Sequence, residues 1–551
     1  MFSKGFLLLA SIILCYSRAY GENKPSLETF IPDDTSLNVL SDSLDKEDTC
    51  HNFLTEPATS ILSKTFVCDT SLYACPSHPR PWEAAALNMG INVGVWLFDY
   101  YVLKRSWCGM SLKDIRKNFK TGFLWDIDDF PTNLFNHPYH GALYFNAARN
   151  SGLNFGQSSL YTFGSSAIWE FFSECEPAAI NDFLSTGFGG MVIGESTMRV
   201  AHLFLNDSKR GIERVVREIL ATAVDPMGGL VRILHGDMWR VRSTHYLYHD
   251  YNSTPVDGSV SVGCRTLGRG STFLKGDWIN SIDLQCRYGD FFDSGNQPFD
   301  VFRARVAISI FSHQPTISRV NIYGKLWLSD PSIHQGRYLA YGIFQHFNYY
   351  DSKSIQHETY APYHISEAAS AGPGLVFRWV PSERTHSQMI STYPSQNTQS
   401  IAFLSKPNTF QFNQSLFINF VLLGGCKTDY FGSISRDYNF GSGFSVTSNT
   451  DVDIPHFGQF SLNLYSMNLY TWKGYTKKDL DAHPDLLYLN SQGDKGNAWV
   501  FVLNPTLRIN LPYHLALDIE WCRYFRSMHY AYFPNNHSSY SETRLGLSYR
   551  F

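Results

Sequence analysis

From about residue 257 to its last residue the chain repeats with a period of two. That restricts this part to sheets with one apolar and one polar face. Val260, Val262 and Cys264 alternate with Ser259, Ser261, Gly263 and Arg265. Ile282, Leu284 and Cys286 alternate with Asp283, Gln285 and Arg287, and Phe302, Ala304, Val306, Ile308 and Ile310 with Arg303, Arg305 and Ser309. Val320, Ile322, Leu326 and Leu328 alternate with Asn321 and Lys325. Leu515, Leu517, Ile519 and Trp521 face away from Asp518 and Glu520, as do Leu545, Leu547, Tyr549 and Phe551 from Arg544, Gly546, Ser548 and Arg550. A soluble sandwich also alternates. These runs, however, reach about ten residues or more, the length a tilted strand needs to cross a bilayer. Polar segments at Asp351–Tyr360, Thr385–Gln399 and Thr476–Lys495 separate them as long outer loops would.

Composition agrees with a lipid boundary. Aromatic residues make up 15% of the 551 positions and charged residues only 17%. In lipid every backbone polar group needs a partner, so such a sheet must close on itself. An exported chain that stops inside an alternating strand, on an aromatic Phe551, resembles bacterial outer-membrane β-barrels, whose last strand is the signal for the barrel assembly machinery. About twelve strands are expected over residues 250–551, since even numbers are the rule for such barrels. The expected class is therefore α+β, a helical domain followed by an antiparallel transmembrane barrel. The formal charge of −4 gives no support for nucleic acid as a partner.

Residues 1–21 read as a secretory signal: Lys4, then a short apolar core from Phe6 to Tyr16, then Ala19-Tyr20-Gly21 for cleavage. Residues 22–80 form a polar tether carrying cysteines. Nine of the ten cysteines follow the cleavage point, and Cys68–Cys75 and Cys264–Cys286 are candidate pairs.

Residues 81–240 read as helical. Pro81-Trp82-Glu83 opens a helix, and Ala84–Phe98 carries no charge. There Gly90 and Gly94 make a small face for close packing, beside Asn88 and Asn92. Residues 111–120 form a short basic amphipathic helix whose lysines and arginine read as a solvated face. Asn136-His137-Pro138 is expected to break a helix that restarts at Tyr139, runs to Asn150 and ends at Gly152. A further helix spans 157–175, with Glu170 and Glu174 on one face. Asn181 or Asp182 is placed to cap the next, and Asp126 to act as another cap. A charged helix covers about 208–221, and Asp225-Pro226 with Gly228-Gly229 is expected to end the domain.

Chemistry-bearing groups are densest between Trp125 and Glu195. The run Trp125-Asp126, Asn133, His137-Pro138-Tyr139-His140-Gly141, Tyr144-Phe145-Asn146-Ala147-Ala148-Arg149, Trp169-Glu170-Phe171, Asn181-Asp182, Gly190 and Gly194-Glu195 resembles the bacterial domain of unknown function family 3943 over roughly residues 80–240. Exported members with barrel-like C-terminal strands belong to that family. The resemblance implies an architecture and a location, and no activity.

Read as chemistry, His140, Glu170, His137 and Glu174 are the candidate catalytic residues, a His–carboxylate acid/base set. Asp126, Arg149, Asp182, Glu195 and Asn133 are candidate ligand contacts, with Arg149 suited to a phosphate. The same residue types suit a divalent metal, although no cofactor is required. Asp128 and Asp129 read as solvated. The competing reading is that these polar groups lock small-residue helices together in a dry setting. Three functions follow: a barrel whose periplasm-side helical domain binds outer-membrane lipid or a small ligand, a lipid-modifying hydrolase-type enzyme, or a channel. The helical domain is expected to plug the lumen, cap its mouth or lie beside the barrel, the last two being favoured. There is no GxSxG, HExxH or Walker loop to narrow the chemistry.

Overall fold

Twelve long strands carry the alternation seen in the sequence: β1 Val256–Arg269, β2 Asp277–Tyr288, β3 Phe302–Ile310, β4 Ile317–Leu328, β5 Arg337–Asp351, β6 His364–Trp379, β7 Gln411–Lys427, β8 Tyr438–Ile454, β9 Gly458–Tyr470, β10 Gly496–Asn510, β11 Leu515–Tyr530 and β12 Asn536–Arg550. The computed structural model describes residues 79–241, 254–356, 358–381, 409–430, 436–482 and 490–551. The expected signal, most of the tether with Cys50, Cys68 and Cys75, and the Thr385–Gln399 segment lie outside them. Each strand pairs antiparallel with its neighbours. β1 pairs with β12, and β4 pairs with both β3 and β5, so the sheet closes into a barrel with no free edge. The Phe551 N–H donates to the Gly258 carbonyl at 3.0 Å, extending the closing seam to the last residue.

Sequence polarity sorts the two faces of the wall. Outward side chains such as Tyr341, Ile343, Leu375, Ile418, Phe420, Trp499 and Leu547 are exposed and apolar. No helix among the described residues is long and apolar enough to cross a membrane. Inward side chains are polar and pair across the lumen. Arg305 on β3 and Arg319 on β4 both bind Glu520 on β11, four or more strands away along the wall. Arg265 binds Glu542 at 2.7 Å. At the rim where β1 begins, the β2–β3 connection folds inward: Phe291 meets Phe344, and Asp290 binds Arg378 at 2.7 Å. Towards the other rim Tyr350, Tyr363, Tyr465, Met467 and Tyr524 pack together. The lumen is thus filled by the barrel's own side chains rather than by the helices.

Two expectations about the wall fail. Cys264 and Cys286 are free thiols, because the register sets Cys264 opposite Asn280 and Cys286 opposite Gly258. The three polar segments also do not share one end. The β5–β6 and β9–β10 connections lie at one rim, and the β6–β7 connection at the other.

The helical region comprises α1 Pro81–Leu97, α2 Leu112–Thr121, α3 His137–Asn150, α4 Phe155–Phe172, α5 Ile180–Leu184, α6 Gly190–Phe204, α7 Gly211–Val224 and α8 Pro226–Leu234. Ser111 with Asp114, and Asn154 with Gln157, form the capping boxes that start α2 and α4. The basic residues of α2 are exposed, as a solvated face requires. Pro138 does not break the chain as expected. A π turn, Thr132–Asn136, runs directly into α3, and its wide i→i+5 bonding places Pro138 in the first turn of the new register, where a missing N–H costs little. Asp225, read as a terminator, instead caps α8 by accepting from the Gly228 N–H at 2.9 Å. Gly90 and Gly94 pack against nothing within 4 Å, whereas Asn88 and Asn92 are buried. The close helix crossing lies elsewhere. A Cβ on Gly190 would stand 2.5 Å from the Gly141 carbonyl carbon, so α3 and α6 touch backbone to backbone.

The helices lie against the outer wall of the barrel. Along β5, outward Leu339, Tyr341 and Ile343 are exposed, but Gln345, Phe347 and Tyr349 on the same face are buried. Phe130 and Phe135 cover Tyr349, the Gln345 amide donates to the Phe188 carbonyl, and Pro138 and Gly189 meet near Phe347. Contact runs from rim to rim. Phe155 and Arg199 reach Phe299 and Pro298 at one, while Trp125 and Asp126 meet Asn490 and Arg436 at the other.

Candidate functional site

The first step in building the site is a backbone bridge. Leu124 pairs with Ala179, which sets Trp125-Asp126 alongside the start of α5. Asp129 accepts from the Thr132 N–H at 2.9 Å and starts the helical turn that carries Asn133 and then His137. α4 presents Glu170 in its last turn, and Asp182 projects from α5. One ligand atom from each of His137, Glu170 and Asp182 lies within 4.8 Å of the others. His137 Nε2 is 3.5 Å from Asp182 Oδ1.

Amides orient this set. Asn181 Nδ2 donates to Asp126 Oδ1 at 3.0 Å and to Asp182 Oδ1 at 2.8 Å, and Asn133 Nδ2 donates to Asp126 Oδ1 at 2.6 Å. The Ala179 N–H donates to Glu170 at 2.7 Å. Asn181, Asp182 and Asp126 therefore are not caps, as expected from the sequence, but interior members of one network. The N-cap of α5 is Ala179, whose methyl side chain cannot accept a hydrogen bond.

Burial and mutual repulsion dominate the electrostatics. Burial, then neighbouring Glu174, pushes the Glu170 carboxyl well above its ordinary range, and burial, then Asp126 and Glu170, does the same for Asp182. Burial lowers His137 to about 4 and His140 to about 3, so both imidazoles are neutral and available as acceptors or ligands. Glu174 lies beyond the end of α4, not on one face with Glu170. It accepts from Trp169 Nε1 at 2.7 Å, and burial raises it to about 8. His140 packs between Tyr144 and Trp169, and its buried Nε2 has no partner among the described residues. Asp128 and Asp129 are exposed, as read.

Arg149 and Glu195 belong elsewhere. Arg149 forks onto Glu195 at 2.7 and 3.1 Å, and Arg199 binds the same carboxylate at 3.0 Å, all three being buried. Burial would raise the Glu195 carboxyl, but the two guanidiniums hold it below its ordinary range. This Arg–Glu–Arg cluster locks α3 to α6 and leaves Arg149 no role at the His–carboxylate set.

Sequence reasoning missed the barrel's share of the site. Asn133 Nδ2 donates to Tyr438 Oη at 2.7 Å, Tyr438 Oη donates to the Asp128 carbonyl at 3.0 Å, and Arg436 Nη1 donates to the Asp126 carbonyl at 2.7 Å. Both partners are about three hundred residues away in sequence, and neither stands in a motif. Asn92, which accepts a short hydrogen bond from the Tyr144 hydroxyl, was legible only as one of two amides four apart.

Every residue of the His–carboxylate set falls within one matched segment. Residues 122–227 match the model of a domain of unknown function, DUF3943. The DUF3943 segment runs from the bridge at Leu124 to the start of α8, and leaves out α1 and the barrel. No curated protein matches the chain. Among solved structures, OccK2 (OpdF) of Pseudomonas aeruginosa is 12% identical, the comparison covering 54% of this chain and 97% of that one at a TM-score of 0.17. The CymD monoaromatic hydrocarbon channel is 8% identical, covering 54% and 87% at 0.17, and a mutant Rh. blastica porin is 8% identical, covering 54% and 100% at 0.14. Likeness at this level adds nothing to the barrel already traced from its strand pairing.

Proposed function

We propose that the protein resides in the bacterial outer membrane and holds its helical domain in the surrounding lipid, where the domain binds a lipid or a similar amphiphile. The observation that carries this reading is an apolar groove of about 590 Å³ on the helical domain, lined by Met89, Val93, Trp96, Met110, Ile168 and Phe172, with Asn92 among its lining. Asn92 is bonded to Tyr144, which packs on His140, so two contacts lead from the groove to that imidazole. The outer face of α1 supports lipid contact. Trp82, Met89, Val93 and Leu97 on α1, and Phe98 and Tyr101 just past its end, are all exposed, and large apolar patches are rare on soluble monomers. Export by a cleaved signal and delivery of β12 to the barrel assembly machinery belong to the same reading. The filled lumen weighs against a channel.

Purified protein, washed in mild detergent and analysed by mass spectrometry, is expected to retain envelope lipid. Val93→Trp, which fills the groove, is expected to lower that retention by about tenfold, the loss of roughly 1.4 kcal/mol of apolar contact. Equal lipid content in both proteins would sink the groove as a binding site.

A second reading, hydrolysis of the bound lipid, is favoured by one observation: the neutral His137 imidazole converges with the Glu170 and Asp182 carboxylates. Under it, the envelope lipid profile of cells carrying Glu170→Gln matches that of cells lacking the protein. A profile unchanged by deletion leaves binding alone.

A further inference from the structure

We propose that His137, Glu170 and Asp182 bind a divalent first-row transition ion, with zinc as the probe of choice. Geometry comes first. Two ligands at a tetrahedral angle on zinc, each about 2.1 Å from the metal, stand about 3.4 Å apart. His137 Nε2 and Asp182 Oδ1 are 3.5 Å apart, and all three ligand atoms lie within 4.8 Å of one another, which a small inward closure completes. One imidazole nitrogen and two carboxylate oxygens make a mixed N/O donor set that suits zinc, manganese(II) or iron(II) better than magnesium or calcium. Three protein ligands leave positions open for water or for a substrate oxygen.

The surroundings are those of an outer shell. Asn181 holds Asp182, the Ala179 N–H holds the Glu170 carboxylate, and Asp126 is fixed by Asn133 and Asn181. Two buried polar atoms here have no partner among the described residues. They are Oδ1 of Asn133, a residue with no exposure, and Nε2 of His140, one turn along the helix from His137. A structural lock of helices would satisfy such atoms, whereas a site built for a hydrated ion leaves acceptors for its waters. Charge argues the same way. Buried Glu170 and Asp182 stand together, with Asp126 joined to Asp182 through Asn181, and among the described residues the ion pair made by the group is with a histidine. A cation between them removes the repulsion that the two buried carboxylates otherwise bear.

The inference does not depend on the groove holding lipid, because it is read on the protein alone. Full-length protein in detergent is stripped with chelator, dialysed and titrated with zinc chloride by calorimetry, with bound metal counted by inductively coupled plasma mass spectrometry. Wild type is expected to take up about one equivalent, and His137→Ala and Asp182→Asn to bind roughly 100-fold more weakly. Glu213→Gln, half-exposed on α7 and outside the set, is expected to bind as wild type does. Cobalt(II) supplies a readout that folding alone does not move: visible absorption of a low-coordinate ion in wild type, absent from the isosteric Glu170→Gln. Circular dichroism of each variant separates loss of ligand from loss of fold. Uptake well below one equivalent by folded wild type overturns the proposal. So does zinc affinity unchanged in folded His137→Ala and Asp182→Asn.

Discussion

Glu195→Gln is expected to lower the stability of the helical domain by about 3–5 kcal/mol, the cost of leaving buried charges uncompensated. Glu195 has no solvent exposure and is the shared partner of Arg149 and Arg199, which are themselves 3% and 2% exposed. Glutamine keeps the shape and one acceptor oxygen but removes the charge that both guanidiniums face. Arg149 retains the Leu153 carbonyl at 2.8 Å and Arg199 the Pro298 carbonyl at 3.1 Å, so the helices stay within reach of their positions but lose the lock between α3 and α6. The measurement is the unfolding midpoint of the helical signal in far-ultraviolet circular dichroism, with limited proteolysis to assign the loss to the helices. Since Glu195 pairs with Arg149 and Arg199, both on helices, heat-modifiable migration of the barrel on gels is expected to persist. Replacing all three residues by leucine or methionine is expected to recover most of the loss, because the damage lies in unpaired charge rather than in missing polarity. A midpoint unchanged in Glu195→Gln would show that the cluster carries no charge pairing.

The barrel was legible from the sequence because its period and length leave few other folds. Val260, Val262 and Cys264 face outward, and Ser259, Ser261 and Arg265 face inward, as the alternation requires. The place of the helical domain was not legible. Phe347 and Tyr349 continue the apolar row of Leu339, Tyr341 and Ile343, and a row that meets lipid reads the same as one that meets helices. Much of the site was visible as a density of residue types: His137, Glu170 and Asp182 meet, with Asp126 and Asn133 bonded beside them. What misled was proximity in sequence. Arg149 and Glu195 share the dense stretch but pair with each other across the α3–α6 crossing. Pro138 misled for a different reason, because a π turn changes the register and removes the clash that ordinarily ends a helix. Tyr438 and Arg436 had no local signature, since only the closed barrel brings them to the helical domain.

Glu520→Ala is the corresponding test of the barrel, and is expected to cost about 3–5 kcal/mol while leaving the lumen shut. Four arginines, the buried Arg265, Arg319 and Arg544 and the partly buried Arg305, share three acids, Asp283, Glu520 and Glu542. If all are ionised the set carries one net positive charge, and removal of Glu520 makes it two. Arg305 keeps Asp283 at 2.9 Å, and Arg544 keeps Asp283 and Glu542. Arg319 loses its 2.8 Å partner and retains the Tyr524 hydroxyl at 2.7 Å, Asn504 Oδ1 at 3.5 Å and Glu542 at 3.7 Å. The destabilisation therefore falls on the contact between β4 and β11 across the lumen, and denaturant unfolding followed by the heat-modifiable gel shift reads it. Conductance in planar bilayers gives the second readout. The pairs Asp290–Arg378 and Phe291–Phe344 at one rim, and the tyrosine cluster towards the other, do not involve Glu520, so the variant is expected to conduct no better than wild type. A large stable conductance in Glu520→Ala would mean that the ion pairs alone hold the lumen closed, and would return the channel reading to the front.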